Sequence, residues 1–258
     1  MAKLSIAIIG GGNMGEALIK GLAKERLCVA EANKGRTAYL KRKYKVAITN
    51  IADGVAAAQI VILAVKPQDM EAVLVKIGDS PLFISIAAGL TTKFFEQRLG
   101  GKARVVRSMP NMPALIGEGI TGIAAGKYAT AADLKLAQKI LGTIGETVIV
   151  KESMLDAVTA VSGSGPAYVF LFVEQWIAAA KALGFKELDA KALVYKTLTG
   201  SAHLLEKSPF DAATLRAKVT SKGGTTQAAL DVFFKGKFDQ LVKKALLAAK
   251  ERAKGLAK

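Results

Sequence analysis

One cysteine, Cys28, and one histidine, His203, occur in 258 residues. A single thiol cannot close an intrachain disulfide, so a secreted disulfide scaffold is excluded. One Cys and one His are also too few for a Cys/His zinc cluster within one chain, and no metal is expected. Acid is scarce: 21 Asp and Glu face 37 Lys and Arg, a formal net charge of +16. That excess suits nucleic acid, an anionic membrane, small anionic ligands or simply a solvated surface. Aromatics make up only 6% of the chain and the basic residues are for the most part spread out rather than grouped, so the solvated surface is favoured over a nucleic-acid partner. One acid-free cluster stands apart: Lys34, Arg36, Lys41, Arg42, Lys43 and Lys45.

Long apolar runs are missing as well. Residues 4–9 lead straight into three glycines, too short for a signal-peptide core and without a cleavage site. The longest apolar stretch, residues 166–183, carries Glu174, Gln175 and Lys181. A membrane span needs roughly 20 mostly apolar residues, so this stretch is expected to be a buried bundle helix. A soluble, cytoplasmic protein with no membrane partner follows. What is present is core-forming material: 51% of residues are hydrophobic, which excludes wholesale disorder.

Two patterns alternate through the first 150 residues. Short β-branched runs occur at 4–9, 27–32, 60–65, 82–87, 104–107, 120–124 and 147–150, with helix-like segments at 14–25, 37–43, 68–77, 92–99 and 131–141. Such alternation predicts βαβ units and a largely parallel sheet. After about residue 154 only helical patterns remain, at 166–183, 188–206, 211–219, 226–234 and 238–253. The expected fold is therefore an α/β Rossmann-type domain, residues 1–155, followed by an all-α domain, residues 156–258.

Gly10-Gly11-Gly12-Asn13-Met14-Gly15 fits G-x-G-x-x-G, follows an apolar strand and opens a helix. Gly10 permits the tight turn, Gly12 lets a pyrophosphate approach the backbone, and Gly15 lets helix and strand pack closely. The free N–H groups of the helix start then face the anion. Glu31, 19 residues after Gly12, is a candidate for the ribose 2′-hydroxyl of NADH. Against it stands Asn33-Lys34-Gly35-Arg36-Thr37, whose cations suit a 2′-phosphate through charge-assisted hydrogen bonds. NADPH is the expected coenzyme, with NADH the alternative.

Further motifs sit at strand ends: Ala64-Val65-Lys66-Pro67-Gln68, Ser85-Ile86-Ala87-Ala88-Gly89 and Ser108-Met109-Pro110-Asn111-Met112-Pro113-Ala114. Two more lie in the helical part, Ser162-Gly163-Ser164-Gly165-Pro166-Ala167-Tyr168 and Thr220-Ser221-Lys222-Gly223-Gly224-Thr225-Thr226. In this order and spacing the five motifs resemble the pyrroline-5-carboxylate reductase family over residues 4 to about 250. The resemblance implies reduction of 1-pyrroline-5-carboxylate to L-proline by NAD(P)H, the last step of proline biosynthesis. It also implies a homodimer interlocked through the helical domain, with decamers as a further assembly. Carried over, Gly10 to Gly15 hold the pyrophosphate and Asn33-Lys34 lies near the 2′-phosphate. Val65 and Lys66, flanked by Ala64 and Pro67, line the nicotinamide side with Ala88, and Met109, Pro110 and Asn111 sit beside the ring. Ser221, Gly223, Gly224, Thr225 and Thr226 form the loop that grips the substrate carboxylate, and Glu152 falls among the substrate contacts. Two positions depart from the family pattern. Lys222 replaces a proline, and Ile51, next to Asn50, replaces an asparagine near the adenosine.

Chemistry read from the residues agrees. Gly223-Gly224-Thr225-Thr226 precedes an apolar-periodic helix, so its N–H groups form an anion site suited to a carboxylate. No His, Cys or carboxylate pair offers a dedicated acid. The Thr226 hydroxyl is the candidate catalytic group, orienting the imine and relaying a proton to its nitrogen, unless an iminium arrives already protonated. The rival β-hydroxyacid dehydrogenases place a catalytic Lys on the first long helix, and residues 165–170 offer none. His203 is expected to be a structural or surface group, and Cys28, in the second strand, a core residue.

Overall fold

A computed structural model describes residues 3–77 and 82–255, so the outer ends of both expected domains, 1–2 and 256–258, lie outside it. Strands and helices alternate as β1 (Ser5–Ile9), α1 (Asn13–Gly21), β2 (Arg26–Ala30), α2 (Lys34–Tyr44), β3 (Ala47–Ile48), α3 (Ile51–Ala56), β4 (Ile60–Leu63), α4 (Met70–Leu74), β5 (Phe83–Ser85), α5 (Thr92–Arg98), β6 (Val105–Met109), β7 (Gly119–Ala125), α6 (Ala131–Leu141) and β8 (Gly145–Ile149). Among the described residues these strands form one sheet in the order β3-β2-β1-β4-β5-β6-β7-β8. Only the β6–β7 pairing is antiparallel.

The all-apolar strands follow from burial on both faces. In β1, Ile6 and Ile8 join one core cluster while Ala7 and Ile9 join another. In β4, Ile60 and Ile62 divide from Val61 and Leu63 in the same way. Side chains alternate across a strand, so a sheet covered by helices on both sides needs apolar residues at every position. Capping sets several helix starts. Asn33, Asn50 and Thr91 each accept the N–H three residues on, and Thr130 with Asp133 forms a reciprocal capping box. The sequence pattern did not anticipate β3 or α3. β3 has two residues, too few for alternation to show, and α3 is six residues long.

The rest of the chain is helical: α7 (Leu155–Val158), a π-turn at Thr159–Gly163, α8 (Gly165–Ala182), α9 (Glu187–Lys207), α10 (Ala212–Lys218), α11 (Thr225–Lys235) and α12 (Phe238–Gly255). The chain divides into two compact units. One runs to Pro166 and takes in the chain from Ala248 on, and the other is Ala167–Leu247. The first holds the sheet and its two core clusters. The second has almost no core of its own: among its described residues only Val173, Ala190 and Val194 are buried.

The stretch 166–183, whose Phe170, Phe172 and Trp176 read as bundle core or dimer contact, is for the most part not buried within its own chain. In α8, Phe170, Phe172 and Trp176 are 58%, 43% and 36% exposed. By length and composition the helical run Glu152–Ala182 is apolar enough to cross a membrane, and 11% of its apolar window is buried within the chain. Apolar content alone does not say whether a helix is covered by its own chain or by something else. His203 is exposed, and Cys28 is half-buried with its thiol pushed up by burial.

Candidate functional site

The sheet order changes direction at β1, with β2 on one side and β4 on the other. In an open α/β sheet the crevice at this point, outside the carboxyl ends of the strands, is where ligands bind. A cleft of about 1600 Å³ opens there, lined by Gly10, Gly12 and Asn13 after β1, by Glu31, Asn33 and Arg36 after β2, and by Ala64, Val65 and Lys66 after β4. Eight of these nine residues are among those expected to hold the coenzyme, and Glu31 was its rival for the ribose.

The glycine turn has a distinct reason for each small residue. Gly10 has φ +104°, and a Cβ there would lie 2.6 Å from the Ala64 carbonyl oxygen. A Cβ on Gly15 would overlap the Gly10 carbonyl oxygen, so α1 could not start so close to β1. At Gly12 nothing lies within 4 Å of a Cβ position. That space is open toward the start of α1, whose N-cap, Gly12, supplies no side-chain hydrogen bond. The first-turn N–H groups therefore lack a side-chain cap in front of them, which fits a pyrophosphate.

Beside the turn lies a network centred on Glu16. Its Oε1 accepts from the Tyr44 hydroxyl at 2.7 Å, the Tyr39 hydroxyl at 2.9 Å and Lys43 Nζ at 3.1 Å, and its Oε2 pairs with Arg36. Burial pushes the carboxyl up, but the hydrogen bonds from Tyr44, Lys43, Tyr39 and Arg36 outweigh it and hold the pKa at about 2, below the ordinary 4.5. A carboxyl held lower in the folded state stabilises the fold fully above its unfolded pKa and loses that contribution as pH falls through the folded value. The gap in thermal midpoint between the wild type and Glu16→Gln is thus expected to be constant near neutrality and to close between pH 4.5 and about 2. A gap that persists unchanged at the acid end would refute this.

Other expected coenzyme residues lie off the cleft lining. Met14 and Gly15 sit within α1 behind the turn, Lys34 is the exposed first residue of α2, and Pro67 opens a single 3₁₀ turn, Pro67–Asp69. Ala88 follows β5 and Met109 ends β6. Asn111 is buried, and its Oδ1 accepts the Ile120 N–H at 2.9 Å, which ties down the turn before β7. The cleft takes in Asn50 and Ile51, the position where the family pattern has an asparagine near the adenosine, and also Tyr39, Thr49, Ala52, Gln68, Asp69, Ala72, Val73 and Lys76, which the sequence did not assign to the coenzyme. Thr49 follows β3, so recognising that strand would have brought it in by the carboxyl-end rule.

In the second unit, Ser221, Gly223 and Gly224 lead into α11, which begins at Thr225 and Thr226. Gly223 has φ +71°, a left-handed conformation that favours glycine. Gly224 is the N-cap and supplies no side-chain hydrogen bond, so this helix start also lacks a side-chain cap.

The comparisons with known proteins cover both units. Residues 152–256 match the family model described as pyrroline-5-carboxylate reductase dimerisation, and residues 5–89 match that described as NADP oxidoreductase, coenzyme F420-dependent. A pyrroline-5-carboxylate reductase of Mycobacterium tuberculosis (strain ATCC 25618 / H37Rv) is 40% identical, over 97% of this chain and 96% of its own length. The chain belongs to the pyrroline-5-carboxylate reductase family. Another reductase of the family, from Pseudomonas aeruginosa, is 38% identical over 100% of this chain and 98% of its own. Among solved structures, the pyrroline-5-carboxylate reductase of Coxiella burnetii matches with a TM-score of 0.92 at 35% identity, covering 99% of each chain. The pyrroline carboxylate reductase of Plasmodium falciparum, solved with NADP bound, matches at 0.89 and 31% identity over 100% of each.

In this member of the family one expected substrate contact is otherwise engaged. Glu152 accepts the Thr92 N–H at 2.7 Å on Oε1 and the Thr92 hydroxyl at 2.8 Å on Oε2, with Arg107 3.5 Å away. Arg107 is buried and reaches Asp156 at 3.3 Å. Glu152 thus ties α5 to β6 within the chain. Both its oxygens face donors of the chain, and with Asp156 it shares the charge of the buried Arg107 guanidinium.

Proposed function

We propose that this chain reduces 1-pyrroline-5-carboxylate to L-proline, the reaction its family is named for, with NADPH as the hydride donor and NADH as the alternative. The observation that carries the coenzyme reading is the open space at Gly12 above an uncapped helix start, in a cleft at the switch point of the sheet. Gly10, Gly12 and the amides of Asn13 and Met14 hold the pyrophosphate. Asn33, Lys34 and Arg36 meet the 2′-phosphate. Ala64, Val65, Lys66 and Pro67, with Ala88, Met109 and Asn111, border the nicotinamide.

A bound reduced nicotinamide supplies a hydride to the imine carbon. The chain's own residues bind, orient and protonate. Ser221, Gly223, Gly224 and Thr225 present amides and hydroxyls to the substrate carboxylate. The Thr226 hydroxyl hydrogen-bonds the imine nitrogen and passes it a proton drawn from water. Holding reacting atoms roughly 3–3.5 Å apart is the larger contribution, so the share of Thr226 is modest. Thr226→Ala is expected to lower kcat about tenfold, less than the roughly 10²–10⁴-fold of a dedicated general acid, with coenzyme affinity unchanged. Wild-type turnover in that variant would remove the role.

The functional division falls near 155/156, and the chain works as a cytoplasmic homodimer, with decamers as the further assembly. The support is the near-absence of a core in Ala167–Leu247 together with the dimerisation model matched there. A second copy covers the apolar faces of α8 to α12, which a membrane would otherwise have to cover. Sedimentation without detergent tests this, and a detergent-dependent monomer would overturn it. For the reaction itself the test is the rate of coenzyme oxidation with 1-pyrroline-5-carboxylate, NADPH against NADH. No turnover with either would refute the reading.

A further inference from the structure

The acid after β2 does something other than wait for a ribose. Glu31 Oε2 accepts the Gly11 N–H and its Oε1 accepts the Asn33 N–H, each at 2.7 Å. Gly11 is buried, and its carbonyl accepts Arg36 Nε at 2.5 Å. Arg36 Nη2 reaches the Gly12 carbonyl at 3.3 Å and also pairs with Glu16. The Gly11 residue is thus gripped on its N–H by Glu31 and on its carbonyl by Arg36. Asn33, the second partner of Glu31, is the N-cap of α2, and its Oδ1 accepts the Arg36 N–H at 2.9 Å. One carboxylate therefore joins the phosphate-facing turn to the start of the helix that carries Lys34 and Arg36.

We propose that Glu31 is a positioning residue that locks the Gly10–Gly12 turn to the start of α2 and serves NADPH and NADH alike, rather than selecting NADH through its 2′-hydroxyl. This rests on the coenzyme reading above. If Glu31 turned to grip a ribose, the buried Gly11 N–H would lose its partner, at a cost that offsets the charge-assisted hydrogen bond gained from the hydroxyl. A turn held in its binding geometry before the ligand arrives also binds more tightly, because less ordering remains to be done.

The test uses the full chain, with Glu31→Gln and Glu31→Asp measured against wild type by fluorescence titration of NADPH and NADH. An amide can accept only one of the two N–H groups, and the shorter Asp carboxylate cannot span both. In each variant both dissociation constants are expected to rise by the same factor, about tenfold for Gln. KM for each coenzyme rises likewise, kcat at saturation stays at the wild-type value, and amide exchange quickens at Gly11 and Asn33. A loss confined to NADH would overturn the proposal in favour of ribose recognition. Unchanged or tighter binding of both would overturn it as well. If Glu31→Gln does not fold, Glu31→Asp carries the comparison. A wild-type chain that binds neither coenzyme would refute the coenzyme reading and this proposal with it, whereas a binding wild type with unaffected variants refutes this proposal alone.

Discussion

Gly12→Ala is expected to remain folded and to lose NADPH binding by at least about a hundredfold, or roughly 2.7 kcal/mol. The backbone at Gly12, φ −63° and ψ −169°, is one that alanine adopts freely. No protein atom lies within 4 Å of the added methyl. Alanine is a poorer N-cap than glycine, at a cost of at most about 1 kcal/mol. In a chain of this size that lowers the thermal midpoint by about 2–4 °C. The methyl does, however, fill the space through which a pyrophosphate reaches the first-turn amides. Titration of coenzyme fluorescence alongside a thermal melt checks both halves. Wild-type affinity in the variant would mean that the coenzyme does not lie over this turn.

Two residues earlier the same substitution has the opposite signature. Gly10→Ala places a Cβ 2.6 Å from the Ala64 carbonyl oxygen and 2.8 Å from its carbon, at a φ of +104°. Backbone strain and overlap with backbone atoms add, for about 3 kcal/mol of lost stability. The expected fall in thermal midpoint is about 6–12 °C. Activity then falls with the folded fraction. A melt that matches wild type would show that the turn can relax, and that the close approach of Gly10 to the end of β4 is not what requires glycine. The pair of variants separates two uses of glycine in one short turn, room for a ligand at Gly12 and room for the chain itself at Gly10.

Both of those positions could be read from the sequence, because the motif sits between an apolar strand and a periodic helix. The two-faced burial of β1 and β4 was legible for a similar reason, since unbroken apolar runs have nowhere else to go in a parallel sheet. The helix over 131–141 was legible to the residue. β3 was not, because two residues carry no period, and with it went the cleft residue Thr49.

Partnerships between distant residues were beyond the sequence's reach. Glu31, a candidate for the ribose, and Glu152, placed among the substrate contacts by the resemblance, accept donors that lie 20 and 60 residues away, at Gly11 and Thr92. A carboxylate's local surroundings do not state which N–H will approach it across the fold, and hydrogen bonds that exclude one another are decided only when all candidates are in place. What covers α8 was open for a related reason. Its composition records that it must be covered, and only the packed chain shows that its own residues leave Phe170, Phe172 and Trp176 open. Periodicity, turn chemistry and motif order are local properties and were settled by the order of residues. Hydrogen-bond pairing and coverage of a face depend on atoms brought together from far along the chain, and those the tertiary structure alone decided.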